Sequence, residues 1–197
     1  MNCNGLSDSQ NECANSPIII DIAGNGLQLT DRAGGVWFDF FGAGISIHMA
    51  WTARGSDDVF LVLDRNGNGT IDNGAELFGN RTPLAEGGLA DNGFEALAEY
   101  DLPSSGGNGD GYIDSSDSIY RALRVWRDSN HNGVSESAEL QTLNAAGVLG
   151  IDIEYAYSRG RDQHGNELRY RSRALVKDDK GRPHHRFAWD VFFVTSD

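Results

Sequence analysis

The twelve residues from Asp128 to Glu139, D-S-N-H-N-G-V-S-E-S-A-E, carry oxygen-bearing side chains at loop positions 1, 3, 5, 9 and 12: Asp128, Asn130, Asn132, Glu136 and Glu139. Gly133 holds position 6, where the backbone must turn sharply, and Val134 at position 7 offers its carbonyl. This is the spacing of an EF-hand calcium loop. Alternate side chains of a tightly wound loop converge on one point, and the last carboxylate closes the shell with two oxygens. Calcium is a hard cation that takes about six to eight oxygens, so neither His nor Cys is needed. A plain Asn/Gly turn is the alternative; five matched positions plus the glycine favour calcium.

The same frame recurs, and internal repetition outranks any single motif. Asp64, Asn66, Asn68, the carbonyl of Thr70 and Asp72 occupy positions 1, 3, 5, 7 and 9 of a second loop. Its closing acid, Glu76, comes one residue late, with Asn73-Gly74 as a bulge that swings it inward. In a third, Asn108, Asp110, the carbonyl of Tyr112, Asp114 and Asp117 match positions 3, 5, 7, 9 and 12. Its opening ligand, Asp101, is cut off by the insertion Leu102 to Gly106, and spacing leaves open whether it folds back. Two further frames, Asp21 to Gly26 and Asp39 to Gly44, lack later oxygens: Leu29 and Arg32, or Ile47 and Ala50, stand at positions 9 and 12. These read as turns between strands that hold no metal.

The elements around the loops give an α+β expectation. Apolar runs such as Ile18 to Ile20 and Val59 to Leu63 predict a β-rich N-terminal part, with Trp37, Phe38, Phe40, Phe41 and Trp51 as candidate core. A short helix follows the cap Asn92 or Asp91 and runs to about Tyr100. Ile119, Leu123 and Trp126 before the 128–139 loop, and Leu140 and Leu143 after it, predict EF-hand-like helices. A helix from Asp117 to Asp128 would set the last two sites roughly 16 Å apart. After Gly147, alternating stretches around Ile151, Tyr170 and Trp189 predict an antiparallel β-meander. The expected organisation is a polar leader at 1–16, a calcium-binding EF-hand-like module at 17–147 and a meander packed on it at 148–197. Arg169, Arg171 and Arg173 share one face of the middle meander strand, read as solvated or contacting the acidic half.

A net charge of −13 over 197 residues argues against nucleic acid and against an anionic membrane surface. The charge is uneven: residues 1–158 hold 7 basic and 23 acidic residues, whereas 159–197 hold 9 and 6. Clustered carboxylates repel unless a cation sits among them, so the acidic part should fold better with metal. No run approaches the roughly 18 apolar residues of a membrane span, and the polar start has no signal-peptide core. Cys3 and Cys13 read either as a local disulfide of an oxidising compartment or as two free thiols.

The stretches P-I-I-I-D-I-A-G-N-G-L, D-D-V-F-L-V-L-D-R-N-G-N-G-T-I-D-N-G-A-E-L-F-G-N, N-G-F-E-A-L-A-E-Y-D and L-R-V-W-R-D-S-N-H-N-G-V-S-E-S-A-E-L together resemble the calcium-dependent self-processing module of iron-regulated RTX proteins and its secreted EF-hand relatives. The resemblance covers Pro17 to Tyr157. It implies secretion, folding upon calcium and, in processing members, cleavage of an Asp-Pro bond at the module's front edge. There the aspartate carboxylate attacks its own carbonyl, and the acyl group can pass to a lysine. The matching dipeptide here is Ser16-Pro17, and no Asp-Pro exists anywhere in the chain. A serine hydroxyl cannot form that anhydride.

The expectation is therefore an exported, non-enzymatic module holding two to three calcium ions, with another extracellular protein or a surface polymer as partner. A self-processing protease or ligase is the competing reading. A hydrolase built on Asp57-Asp58, His48 or His184-His185 is the third, unsupported by any G-x-S-x-G or H-E-x-x-H pattern.

Overall fold

Three consecutive isoleucines have no polar face to turn outward, and in the computed structural model, which describes residues 16–195, they form the middle of a sheet covered on both sides. This strand, β1 (Ile18–Ile20), pairs antiparallel with β4 (Val59–Val62), whose four residues are likewise all buried. Alternation divides them. Ile18, Ile20, Val59 and Leu61 point into one core; Ile19, Phe60 and Val62 point into a second on the opposite face.

Around them runs a nine-stranded antiparallel sheet. β5 (Tyr112–Asp114), β8 (Val148–Asp152), β10 (Glu167–Lys177) and β11 (Pro183–Phe192) lead to β1. β4, β6 (Arg124–Trp126) and β7 (Leu140–Thr142) continue from it, and β9 (Ala156–Arg161) pairs with β10. A separate hairpin, β2 (Val36–Phe38) with β3 (Ile47–Met49), lies over the second core. That core is aromatic: Trp51 meets Phe60 at 4.5 Å, Trp126 at 5.5 Å and Phe193 at 5.7 Å between ring centroids. Each buried ring contributes roughly 2–3 kcal/mol by leaving water. The first core is capped by α1 (Gly93–Ala98), whose N-cap Asn92 accepts from the Phe94 and Glu95 amides and which buries Phe94 and Leu97.

The α+β expectation with EF-hand helices is overturned. Apart from α1, only single 3-10 turns appear among the described residues. Ile119, Leu123 and Trp126 do stand at helical spacing, but Leu123 and Val125 enter the first core while Trp126 enters the second, a period of two. Pairing of Phe60 with Trp126 and Leu61 with Val125 decides the matter, and a Val-Trp pair suits a pleated surface. Leu140 lies in β7, paired to β6. The inferred helix from Asp117 to Asp128 is a 3-10 turn, Ser118–Arg121, followed by β6. The C-terminal strands join β1 through β11. Cys3 and Cys13 lie outside the described residues. No helix among the described residues is long and apolar enough to cross a membrane.

Candidate metal centres

Loops 64–76 and 128–139 share one construction, strand–loop–strand instead of helix–loop–helix. The residue before each opening aspartate donates its N–H to the carbonyl of the closing acid: Leu63 to Glu76 at 2.9 Å, Arg127 to Glu139 at 3.1 Å. Each opening carboxylate gathers backbone amides across its loop. Asp64 accepts from Gly67, Asn68 and Gly69, and Asp128 from Asn132 and Gly133. Gly133 is required twice over: its φ is +72°, and a Cβ there would lie 2.7 Å from the Trp37 carbonyl. Each closing acid turns back inward. Glu76 accepts from the Arg65 and Asp72 amides, aimed by the one-turn 3-10 segment Gly74–Glu76 that Asn73 caps. Glu139 accepts from Ser129. The two loops are tied where Ile71 N–H donates to Ser135 Oγ at 2.6 Å, residues that both stand at loop position 8.

Two tryptophans anchor loop 128–139 to the aromatic core. Trp51 Nε1 donates to Asp128 Oδ2 at 2.9 Å and Trp126 Nε1 to Glu139 Oε2 at 3.3 Å. Within the loops the position-9 acid is the hub. Asn66, Asn68 and Thr70 donate to Asp72, holding its carboxyl below the ordinary aspartate range, with Asn68 the largest contributor. Asn130 and Asn132 donate to Glu136 Oε1. Burial lifts the Glu139 carboxyl above its ordinary value, and the adjacent Glu136 adds to this. Val134 N–H donates to Asn132 Oδ1.

In the third loop the insertion is set aside by a 3-10 turn, Pro103–Ser105, and Asp101 returns to the opening position. Its two oxygens accept from Gly109 and Gly111, as Asp64 does in its own loop. Asp117 closes, accepting from Asn108 and Asp114, while Asn108 donates to Asp110. Tyr112 N–H donates to Asp110, and β5 carries this loop to the far arm of the sheet.

The donor sets fit a hard divalent cation. Every side-chain donor in the three loops is oxygen, with three carboxylates in the first and last and four in the middle one. Glu136 Oε2, inside the last loop, is buried without a hydrogen-bond partner, an oxygen with lone pairs to offer. Calcium would sit among Asp64, Asn66, Asn68, Thr70, Asp72 and Glu76, and among their counterparts in the other two loops.

The two frames set aside as bare turns differ from each other. The Asp39 carboxylate accepts from the Ala43 and Gly44 amides alone among the described residues. Asp21, which accepts from Gly24, Asn25 and Gly26, is joined by Asp57 and Asp58 from the start of β4, and one oxygen of each lies within 4.8 Å of the others. Burial raises the Asp58 carboxyl to about 7 against the lowering effects of the Gln28 amide and the Ser56 side chain, with the Asp57 and Asp21 charges adding to the rise. The sequence signals this site only through the doublet Asp57-Asp58, read as a hydrolase candidate. His184, in that same reading, instead contacts Asp178 at 3.0 Å, and His48 packs tilted against Trp37.

Ser16-Pro17 is buried at the edge of β1. Ser16 exchanges hydrogen bonds with Asn80, and Val191 N–H donates to the Pro17 carbonyl. A Cβ on Gly79 would lie 1.4 Å from the Ser16 carbonyl oxygen, so only glycine allows that approach. The fully buried Asp190 faces this corner. It accepts from Gly93 N–H at 2.7 Å, and burial raises it to about 6 against the lowering effects of Ser16, Gly93 and Arg169.

A family model described as the SPM domain matches residues 18–193. Over 154 residues the chain is 41% identical to the iron-regulated protein FrpA of Neisseria meningitidis serogroup C. That match takes in 77% of this chain but only 13% of FrpA, so the chain corresponds to a small part of that protein.

Proposed function

The chain belongs to the SPM domain family, and from that premise we propose that it is an exported calcium-binding module, stiffened by two to three calcium ions, that does not cleave itself. The observation that carries this reading is the inward turn of opening and closing carboxylates in all three loops, Asp64 with Glu76, Asp101 with Asp117 and Asp128 with Glu139. In each loop these carboxylates are held over the loop's own amides, and a cation drawn to the same centre would offset the repulsion between them. Asn-rich ligand sets carry less charge than all-Asp loops, which suits weak extracellular affinity, about 10⁻⁵ to 10⁻³ M. FrpA's iron-regulated, RTX-related character supports export into a calcium-rich exterior, where another protein or a surface polymer is the partner class.

Calorimetry with and without chelator tests it. With two loops filled at about a hundred times their Kd, calcium adds about 5 kcal/mol, a rise in Tm of about 10–20 °C for a chain of this size. Melting indifferent to millimolar calcium removes the reading.

Self-processing is the second reading, favoured by one observation: the Ser16-Pro17 junction is buried beside the Asp190 carboxyl, which burial raises to about 6. The absence of Asp-Pro weighs against this second reading. Ser16→Asp, which restores the dipeptide, is the variant to incubate with calcium. A cut before Pro17 in the parent chain would overturn the non-enzymatic assignment.

A further inference from the structure

Asp21, Asp57 and Asp58 converge from two places in the chain, and they are the only three acids among the described residues whose oxygens approach so closely. Asp21 is presented as the opening aspartate of the other loops is, its carboxylate holding three successive amides. Asp57 fixes the opposite rim, accepting from Ala23 N–H at 2.7 Å and from the Asn25 side chain at 3.0 Å. Asp58 forms the floor. It is 1% exposed, its Oδ2 accepts from Gln28 N–H, and its Oδ1 is buried with no hydrogen-bond partner.

Ser56 lies near but makes no hydrogen bond of full geometry to Oδ1, and burying a carboxylate oxygen so poorly satisfied is costly. No arginine compensates. Arg186 directs Nε to the Ile22 carbonyl and Arg127 reaches the Asp57 carbonyl, and none of the three carboxylates enters an ion pair among the described residues. Asp57 is half-buried, so the cluster opens to solvent on its side.

We propose that Asp21, Asp57 and Asp58 form a further divalent-cation site, in which acids from the start of β4 supply the closing ligands that the loop after Asp21 lacks. All donors are carboxylate oxygen, which selects a hard ion of the calcium or magnesium type and leaves water to complete the shell. The ion would pin the loop after β1 to the start of β4.

The experiment adds trace Mn²⁺ to the calcium-saturated chain and follows paramagnetic broadening of backbone amides by NMR. Loss of the Ala23, Gly24, Asn25, Gly26 and Gln28 peaks is expected. Asp58→Asn restores those peaks while broadening persists in loops 64–76 and 128–139; Asp57→Asn does the same should Asp58→Asn not fold. Undisturbed peaks at 23–28 in the parent chain, or broadening there that survives both substitutions, overturns the proposal and leaves a proton shared among the three acids as the explanation. Peaks lost at 23–28 but not in the three loops keep this site, because loops already filled with calcium exclude the trace ion.

Discussion

Asp39 and Asp64 begin loops of the same local shape and different consequence. Both carboxylates curl over the amides of the following turn, Asp39 taking Ala43 and Gly44, Asp64 taking Gly67, Asn68 and Gly69. Beyond the glycine they diverge. Positions 9 and 12 after Asp39 are Ile47 and Ala50, which go into the aromatic core; after Asp64 they are Asp72 and the displaced Glu76, which turn back over the loop. The opening aspartate thus builds a turn by itself, as aspartates do wherever they can hold their own downstream amides. What would make such a turn a metal centre is the acid that closes it.

Glu139→Gln breaks the contrast most severely. It keeps the side chain's shape and removes the closing charge, so about 3 kcal/mol of calcium-dependent stability should go, with Tm in calcium falling by about 6–12 °C. In chelator the difference should vanish or reverse, because two carboxylates then no longer face each other.

Asp190 supplies a control outside the loops. Its carboxyl is raised in the fold, so its favourable contribution is complete below about pH 4 and is lost as pH rises through about 6. Urea unfolding in chelator should show Asp190→Asn gaining on the parent across that window, by at most about 3 kcal/mol. A constant difference across pH would contradict the buried, raised carboxyl.

Ser135→Ala sharpens the comparison from within. Without the hydroxyl, Ile71 N–H loses its buried acceptor, costing about 1 kcal/mol. Calcium isotherms of loops 64–76 and 128–139 should separate and lose cooperativity. Asp39→Asn is the mildest: about 0.5–1 kcal/mol from weakened turn hydrogen bonds, equal with calcium and with chelator.

Much of this was readable from the residue string. Oxygen spacing marks the loop residues as candidate ligands because ligand order is local, and Asn92, Phe94 and Leu97 place α1 by capping and a few apolar positions. The flanks of loop 128–139 misled because Ile119, Leu123 and Trp126 satisfy a helical period while Leu123 and Val125 satisfy that of a strand. Only the pairing partner, β4, distinguishes the two. Asp57 and Asp58 were invisible as partners of Asp21 because more than thirty positions separate them and no spacing rule spans that distance. The return of Asp101 across its insertion was undecidable for a similar reason: closing a short loop costs little, so sequence leaves both outcomes open.

The central seam of the sheet has a temporal consequence. Residues 18–20 lie hydrogen-bonded between β4 and residues 188–190 of β11. On a chain emerging from its N-terminus, the isoleucines must therefore wait, one edge bare, until nearly the whole sequence has appeared. Such distant partnerships are slow to form, and exposed strand edges invite the wrong neighbour. A chain kept loose where calcium is scarce and tightened only where it is plentiful would delay that closure until both halves of the seam are present.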